Sequence, residues 1–230
     1  LLASSAASDV YKRQVYGCVL GYDLIADEMK DKELSELVKR IGLVEGMPVV
    51  TNPGIIDPEK FADEVINVRI PNPFMPDTPQ RIATDTSQKV GIRYGETIKS
   101  YVAKDGSARA LTAIPLAIAG WCRYLLGIDD NGEAFELSPD PMADELKCQL
   151  DGIVWGESSS YTGQLKNLLS NANIFGINLY EAGIGDKIEE MFVEEIAGKG
   201  AVRNTLKNTF NIYNKQAHSI RKAAGLWKNH

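Results

Sequence analysis

Residues 111–126, LTAIPLAIAGWCRYLL, are apolar almost all the way round a helix, and that single stretch constrains the fold most. A helix without a polar face must be wrapped by other elements. It is too short to span a bilayer and contains Arg123 and Pro115. Pro115 falls in the first turn, where the missing N–H does least harm. The segment therefore reads as the buried centre of a helical domain in water. A chain of 230 residues is long enough to surround it as one large domain.

The rest of the pattern agrees with such a centre. Val15, Val19, Tyr22, Ile25, Ala26 and Met29 fall on one broad helical face, and Leu34, Leu37, Val38 and Ile41 continue it after Asp31. The loop EGMPVVTNPGIID ends in Asp57-Pro58, a good N-cap followed by a proline suited to the first helical position. The helix it starts would bury Phe61, Val65 and Ile66, with Val68 at the limit of the stripe. Four prolines in PNPFMPDTP then break the pattern. Helices are expected again over 77–90, 95–103, 142–150, 164–169 and 186–196. A last one from Ala201 repeats Val202, Leu206, Phe210, Tyr213, Ala217, Ile220, Ala224 and Trp227 in steps of three and four. Only residues 132–137 alternate as a short strand would. The class is all-α, mainly helical, with no internal repeat and no low-complexity linker.

Residues 1–14, LLASSAASDVYKRQ, show no period of either kind. They resemble the translated adapter tails found at broken ends of reading frames, and are expected to be a non-native leader; a disordered native terminus is the alternative. The domain is taken as 15–230.

Several function classes are disfavoured. A net charge of -6 argues against a nucleic-acid partner, which needs clustered Lys and Arg. Cys18, Cys122 and Cys148 are odd in number and far apart, so buried free thiols in a reducing cytoplasm are expected. No membrane segment or signal peptide is evident. There is no GxGxxG opening a strand-to-helix turn and no GxxxxGK[ST]; Gly183/Gly185 and Gly198/Gly200 read as helix punctuation. Residues 129–132, DDNG, hint at a calcium loop, but the first and last positions would be Gly127 and Ser138. His218 and His230 lack ligand neighbours, and residues 158–160, SSS, have no local base, so no metal is expected.

The informative stretch is NPFMPDTPQRIATDTSQK, residues 72–89. Asp77, Arg81, Asp85 and Lys89 stand four apart, so on one helix their charges alternate along a slowly rotating stripe. Spacing alone allows a solvated ion ladder. Spacing favours that ladder, but it also allows two carboxylates that hold Arg81 and Lys89 extended into a pocket, where a guanidinium fork and an ammonium suit an oxygen-rich ligand. Ile82, Ala83, Thr84 and Thr86 are small or apolar, which favours a half-buried element beneath a cleft.

This run closely resembles the substrate-side motif of the mannitol dehydrogenase family of polyol-specific long-chain dehydrogenases. That family includes mannitol 2-dehydrogenase, fructuronate (mannonate) reductase, tagaturonate reductase and mannitol-1-phosphate dehydrogenase. The resemblance continues through LTAIPLAIAGWCRYLLG and NIFGINLYEAGIGDKIEEMF and ends near GAVRNTLK. It implies the helical C-terminal substrate domain of a two-domain dehydrogenase whose Rossmann domain is absent from this chain. It further implies oxidation of a sugar alcohol, or reduction of a ketose or hexuronate, with NAD or NADP and without metal. Arg81 and Lys89 match the substrate-binding positions, supported by Asp77 and Asp85. The family's KxxxxNxxH segment, with its lysine base, should stand where residues 1–14 are. Lys12 has no Asn or His at the required distances, so no catalytic residue is assigned. The expected function is the substrate half of such an enzyme, inactive alone. The alternative is a free-standing all-α binding module that docks through its last helix. Which polyol or uronate, and which oligomeric state, stay open at this stage.

Overall fold

The computed structural model describes residues 15–211, except Pro53 and Met75. In chain order the helices are α1 (Val15–Val19), α2 (Ile25–Glu28), α3 (Lys32–Lys39), α4 (Pro58–Glu64), α5 (Pro79–Ala83), α6 (Thr86–Val90) and α7 (Glu96–Asp105). Then come α8 (Ala113–Tyr124), α9 (Ala143–Gln149), α10 (Lys166–Leu169), α11 (Ala172–Phe175), α12 (Gly185–Glu195) and α13 (residues 201–211). Wider π turns extend α3 (Arg40–Gly46) and α4 (Val65–Arg69) and join α6 to α7 (Gly91–Gly95). Among the described residues there is no strand; the 132–137 candidate shrinks to one antiparallel bridge, Ile128 to Ala134.

The central helix is where the sequence places it. Every residue of α8 is buried, and it packs chiefly against α12 and α1. Trp121 meets Phe175 edge-to-face at 5.9 Å, a favoured aromatic arrangement. Arg123, also fully buried, donates to the carbonyls of Ile128, Asp129 and Glu195 at 2.6, 3.0 and 3.2 Å. Its charge is thus solvated by backbone, as a buried cation requires. A smaller cluster of Ile25, Val38, Val65, Ile66 and Ile70 sits beneath α4, with Phe61 and Ile82 at its edge.

Start signals act as read. Asp31 accepts from Glu33 and Leu34 amides at 3.0 and 3.1 Å, and Asp57 accepts from Glu59 at 3.0 Å, with Pro58 next. Four expectations are corrected. The first helix is broken between α1 and α2, where Gly21 turns with φ of 76°. Val68 is 60% exposed, because the π turn rotates it off the apolar stripe. Cys148 is exposed, whereas Cys18 and Cys122 are buried thiols. The helix expected over 77–90 is interrupted at Thr84-Asp85. Of the last helix, Val202, Leu206 and Phe210 are buried in the domain's own core; Tyr213 to Trp227 lie outside the described residues, as does Lys12.

Candidate functional site

The interruption shapes the candidate site. Thr78 caps α5 by accepting from the Arg81 amide at 3.2 Å, and Pro79 follows at the first helical position. The helix then stops, because Asp85 adopts the left-handed conformation, φ 53° and ψ 37°. It is the only non-glycine residue described with positive φ. Asp tolerates that region better than most residues, yet it still costs about 1–2 kcal/mol and persists only where the surroundings impose it.

Here they do. Residues 138–140, in the SPDP segment just before α9, brace both sides of the break. Ser138 Oγ donates to the Gln80 carbonyl at 2.6 Å, and the Asp85 amide donates to the Pro139 carbonyl at 2.9 Å. Asp140 accepts from Ser87 N at 2.8 Å and Ser87 Oγ at 2.5 Å, which caps α6 from across the fold. Asp140→Ala should therefore cost about 1–2 kcal/mol, the usual value of an N-cap. Amide exchange over residues 85–88 should rise more than elsewhere; uniform exchange would mean that the brace is dispensable.

The break changes the charge pattern. The four charges do not form one ladder; they form two local pairs. Asp77 clasps Arg81 through both oxygens, with Nε to Oδ1 at 2.5 Å and Nη2 to Oδ2. The Arg81 side chain is 74% exposed, whereas that of Asp77 is 20% exposed. Hydrogen bonding to Asp77 raises the Arg81 guanidinium above its already high value. Asp77 is itself pinned, its carbonyl accepting from the Ile25 amide at 3.0 Å. Lys89 Nζ donates to the Thr84 carbonyl at 3.0 Å and lies 3.6 Å from Asp85 Oδ2. So Asp85 shapes the backbone at the break and also stands beside the ammonium. Ala83 and Thr86 are buried, and Ile82 and Thr84 half-buried, as the half-buried element expected from their character.

Both cations are thus presented from two short, braced elements rather than from one continuous helix face. What they can do chemically is hold oxygen atoms. A guanidinium whose inner edge is clasped by Asp77 keeps remaining N–H groups for a ligand. The brace from Ser138, Pro139 and Asp140 was not read from the sequence; the dense turn signal SPDP was its only trace.

A dinucleotide needs a glycine-rich turn between a strand and a helix. Gly183 and Gly185 instead pack under the side chains of Arg109 and Tyr180. The described residues do not build that cradle. Among them no group of three or more His, Cys, Asp or Glu could hold a metal ion. Among the described residues no helix is long and apolar enough to cross a membrane.

The all-helical fold is one found in a dehydrogenase of known structure. It matches the mannitol 2-dehydrogenase of Pseudomonas fluorescens, determined as a ternary complex with NAD and D-mannitol, with a TM-score of 0.74 at 21% identity, over 89% of this chain and 39% of that one. The chain belongs to the mannitol dehydrogenase family: residues 14–196 match the mannitol dehydrogenase C-terminal domain. It is 55% identical over 194 residues to the D-mannonate oxidoreductase of Thermotoga maritima, covering 84% of this chain and 36% of that protein. It is 30% identical over 131 residues to the D-mannonate oxidoreductase of Escherichia coli, covering 57% and 26%. The chain therefore spans well under half the length of these relatives.

Proposed function

We propose that this domain is the substrate wall of an NAD- or NADP-dependent oxidoreductase acting on a secondary alcohol, with a hexuronate or its aldonate as substrate. Arg81 and Lys89 are its substrate-binding residues, and Asp77 and Asp85 hold them. The observation that carries the reading is the Asp77–Arg81 fork, a mostly exposed guanidinium anchored at its inner edge by a largely buried carboxylate. Such a fork binds paired oxygens, and a carboxylate gains more from it than a hydroxyl does. The 55% identity to a D-mannonate oxidoreductase supports the same choice over a neutral hexitol. The interaction-module reading is disfavoured over the described residues, since the apolar stripe of α13 to Phe210 is spent on the domain's own core.

The test uses the full-length protein that carries these residues, with fructuronate, tagaturonate, fructose and mannitol compared. Arg81→Ala and Lys89→Ala should each raise the KM for the preferred sugar acid about 10- to 100-fold, the loss of one or two charge-assisted hydrogen bonds. The cofactor KM should hardly move. Arg81→Lys should recover only part of the loss, because an ammonium cannot make a bidentate contact. Unaltered sugar kinetics in both alanine variants would return the two pairs to a structural role.

A further inference from the structure

Away from the site, α1, α8 and α12 meet at a buried group with one proton more than ionised side chains would supply. Tyr16 lies flat over Gly120, where a Cβ would stand only 2.2 Å from its ring, and its exposure is 0%. Its hydroxyl donates to the Leu116 carbonyl at 2.7 Å and also contacts Glu195 Oε1. A phenol has one hydrogen, and a carbonyl can only accept. With that hydrogen on Leu116, the Glu195 contact is a hydrogen bond only if the carboxyl bears a proton and donates it.

The surroundings favour that state. Glu195 is fully buried, and its Oε2 has no hydrogen-bond partner among the described residues. Arg123 touches the Glu195 backbone carbonyl and spends its other hydrogen bonds on Ile128 and Asp129. An ionised carboxylate there would leave one oxygen bare in a dry core, whereas a carboxyl leaves only an under-used carbonyl. The groups facing this centre are Tyr16 from α1, Cys122 and Arg123 from α8, Asp130 from the following loop, Glu194 on α12 itself, and Tyr94, which faces Tyr16. Burial is the largest influence and, with Asp130 and Glu194, opposes ionisation; the Tyr16 hydrogen bond and the Arg123 charge favour it, and the balance pushes the Glu195 carboxyl up to about 8.

We propose that Glu195, Tyr16 and the Leu116 carbonyl form a proton-dependent lock that seats α1 on α8, and that removing the proton unseats it. Glu195 and Tyr16 are then positioning residues for the neighbouring wall. The next residue on α1, Gly17, is so close to Pro79 of α5 that a Cβ would lie 2.7 Å from its ring. A shift of α1 is therefore felt at the helix that carries Arg81.

The sign follows from linkage. The folded carboxyl titrates above its unfolded value near 4.5, so the folded state holds the extra proton. The stabilisation is fully present below the unfolded value and is lost as pH rises through about 8. Thermal melting from pH 5 to 9 should show the midpoint falling by several degrees, on the order expected for a domain of this size. Glu195→Gln keeps a donor for Tyr16 without a titrating proton, and its midpoint should stay nearly flat. At pH 9 amides over 79–90 should exchange at least about tenfold faster in the parent chain than in the variant. Should the variant fail to fold, infrared spectroscopy of the parent serves. A buried protonated-carboxyl band at pH 6 that disappears by pH 9 is expected. Parallel melting of both proteins, or no such band at pH 6, would overturn the lock.

Discussion

Replacing Glu45 with alanine is expected to destabilise the domain by about 3–5 kcal/mol, because two buried amides and a half-buried one lose their acceptor at once. The central helix α8 has no capping side chain of its own; Thr112 stands at its N-cap without such a bond. Glu45 reaches it from the π turn after α3. Its Oε1 accepts from the amides of Thr112 and Ala113 at 2.6 and 2.7 Å, and its Oε2 accepts from Ile114 at 2.8 Å. Pro115 has no amide to satisfy, and Leu116 N already bonds Thr112 O at 3.1 Å. Every donor of that first turn is therefore accounted for. Burial pushes the Glu45 carboxyl upward, while the three amides and nearby Lys187 pull it back. The positive end of the helix also favours the charge. Glu45→Gln should cost nearly as much, because its amide nitrogen would face a backbone N–H. Urea unfolding gives the comparison. A loss below about 1 kcal/mol would mean that water replaces the carboxylate at those amides.

Much of this architecture was open to a reader of the sequence, and the parts that were not share a cause. The helices α7, α8, α9, α10 and α12 lie close to where apolar spacing puts them, because each buries one face or all of its surface. Arg81 and Lys89 were visible as charges spaced in step with Asp77 and Asp85. The way they are held was not. Spacing of four runs straight through Thr84 and Asp85, so nothing local announces a left-handed residue there. The break is imposed by Pro139 and Asp140, more than fifty positions further along. Glu45 acts on α8 across sixty-seven positions, and Tyr16 on α12 across far more. Periodicity reports which face is buried; it carries no record of a polar side chain that completes another helix's hydrogen bonds. The π turns escape for a related reason. A one-residue widening shifts the register without altering composition, so Val68 looks apolar and inward until the turn rotates it out.

Gly95→Ala is the second large effect, and its sign separates tertiary from local control. In an isolated helix the change would help by about 1 kcal/mol, since alanine is the better helix former. Here the π turn Gly91–Gly95 presses against the end of α11. A Cβ at Gly95 would lie 2.1 Å from the Phe175 carbonyl oxygen, and one at Gly91 would lie 2.3 Å from that of Ile174. Both obstacles are backbone, so no rotamer change relieves them. The helix must move by roughly 1 Å to reach normal contact, and overpacking of this kind costs about 3 kcal/mol or more. Gly106→Ala is the matched control: its φ is 74°, but nothing lies within 4 Å of the new Cβ, so only the backbone penalty of about 1 kcal/mol applies. Under the role proposed for Lys89 the displacement also has a functional consequence, because Lys89 is on the helix that enters this turn. A misplacement near 1 Å can cost about a hundredfold in rate, so the full-length Gly95→Ala enzyme should lose far more kcat/KM than Gly106→Ala at a temperature where both are folded. Stabilisation by Gly95→Ala would show that local propensity governs this segment and that the approach to α11 is not tight.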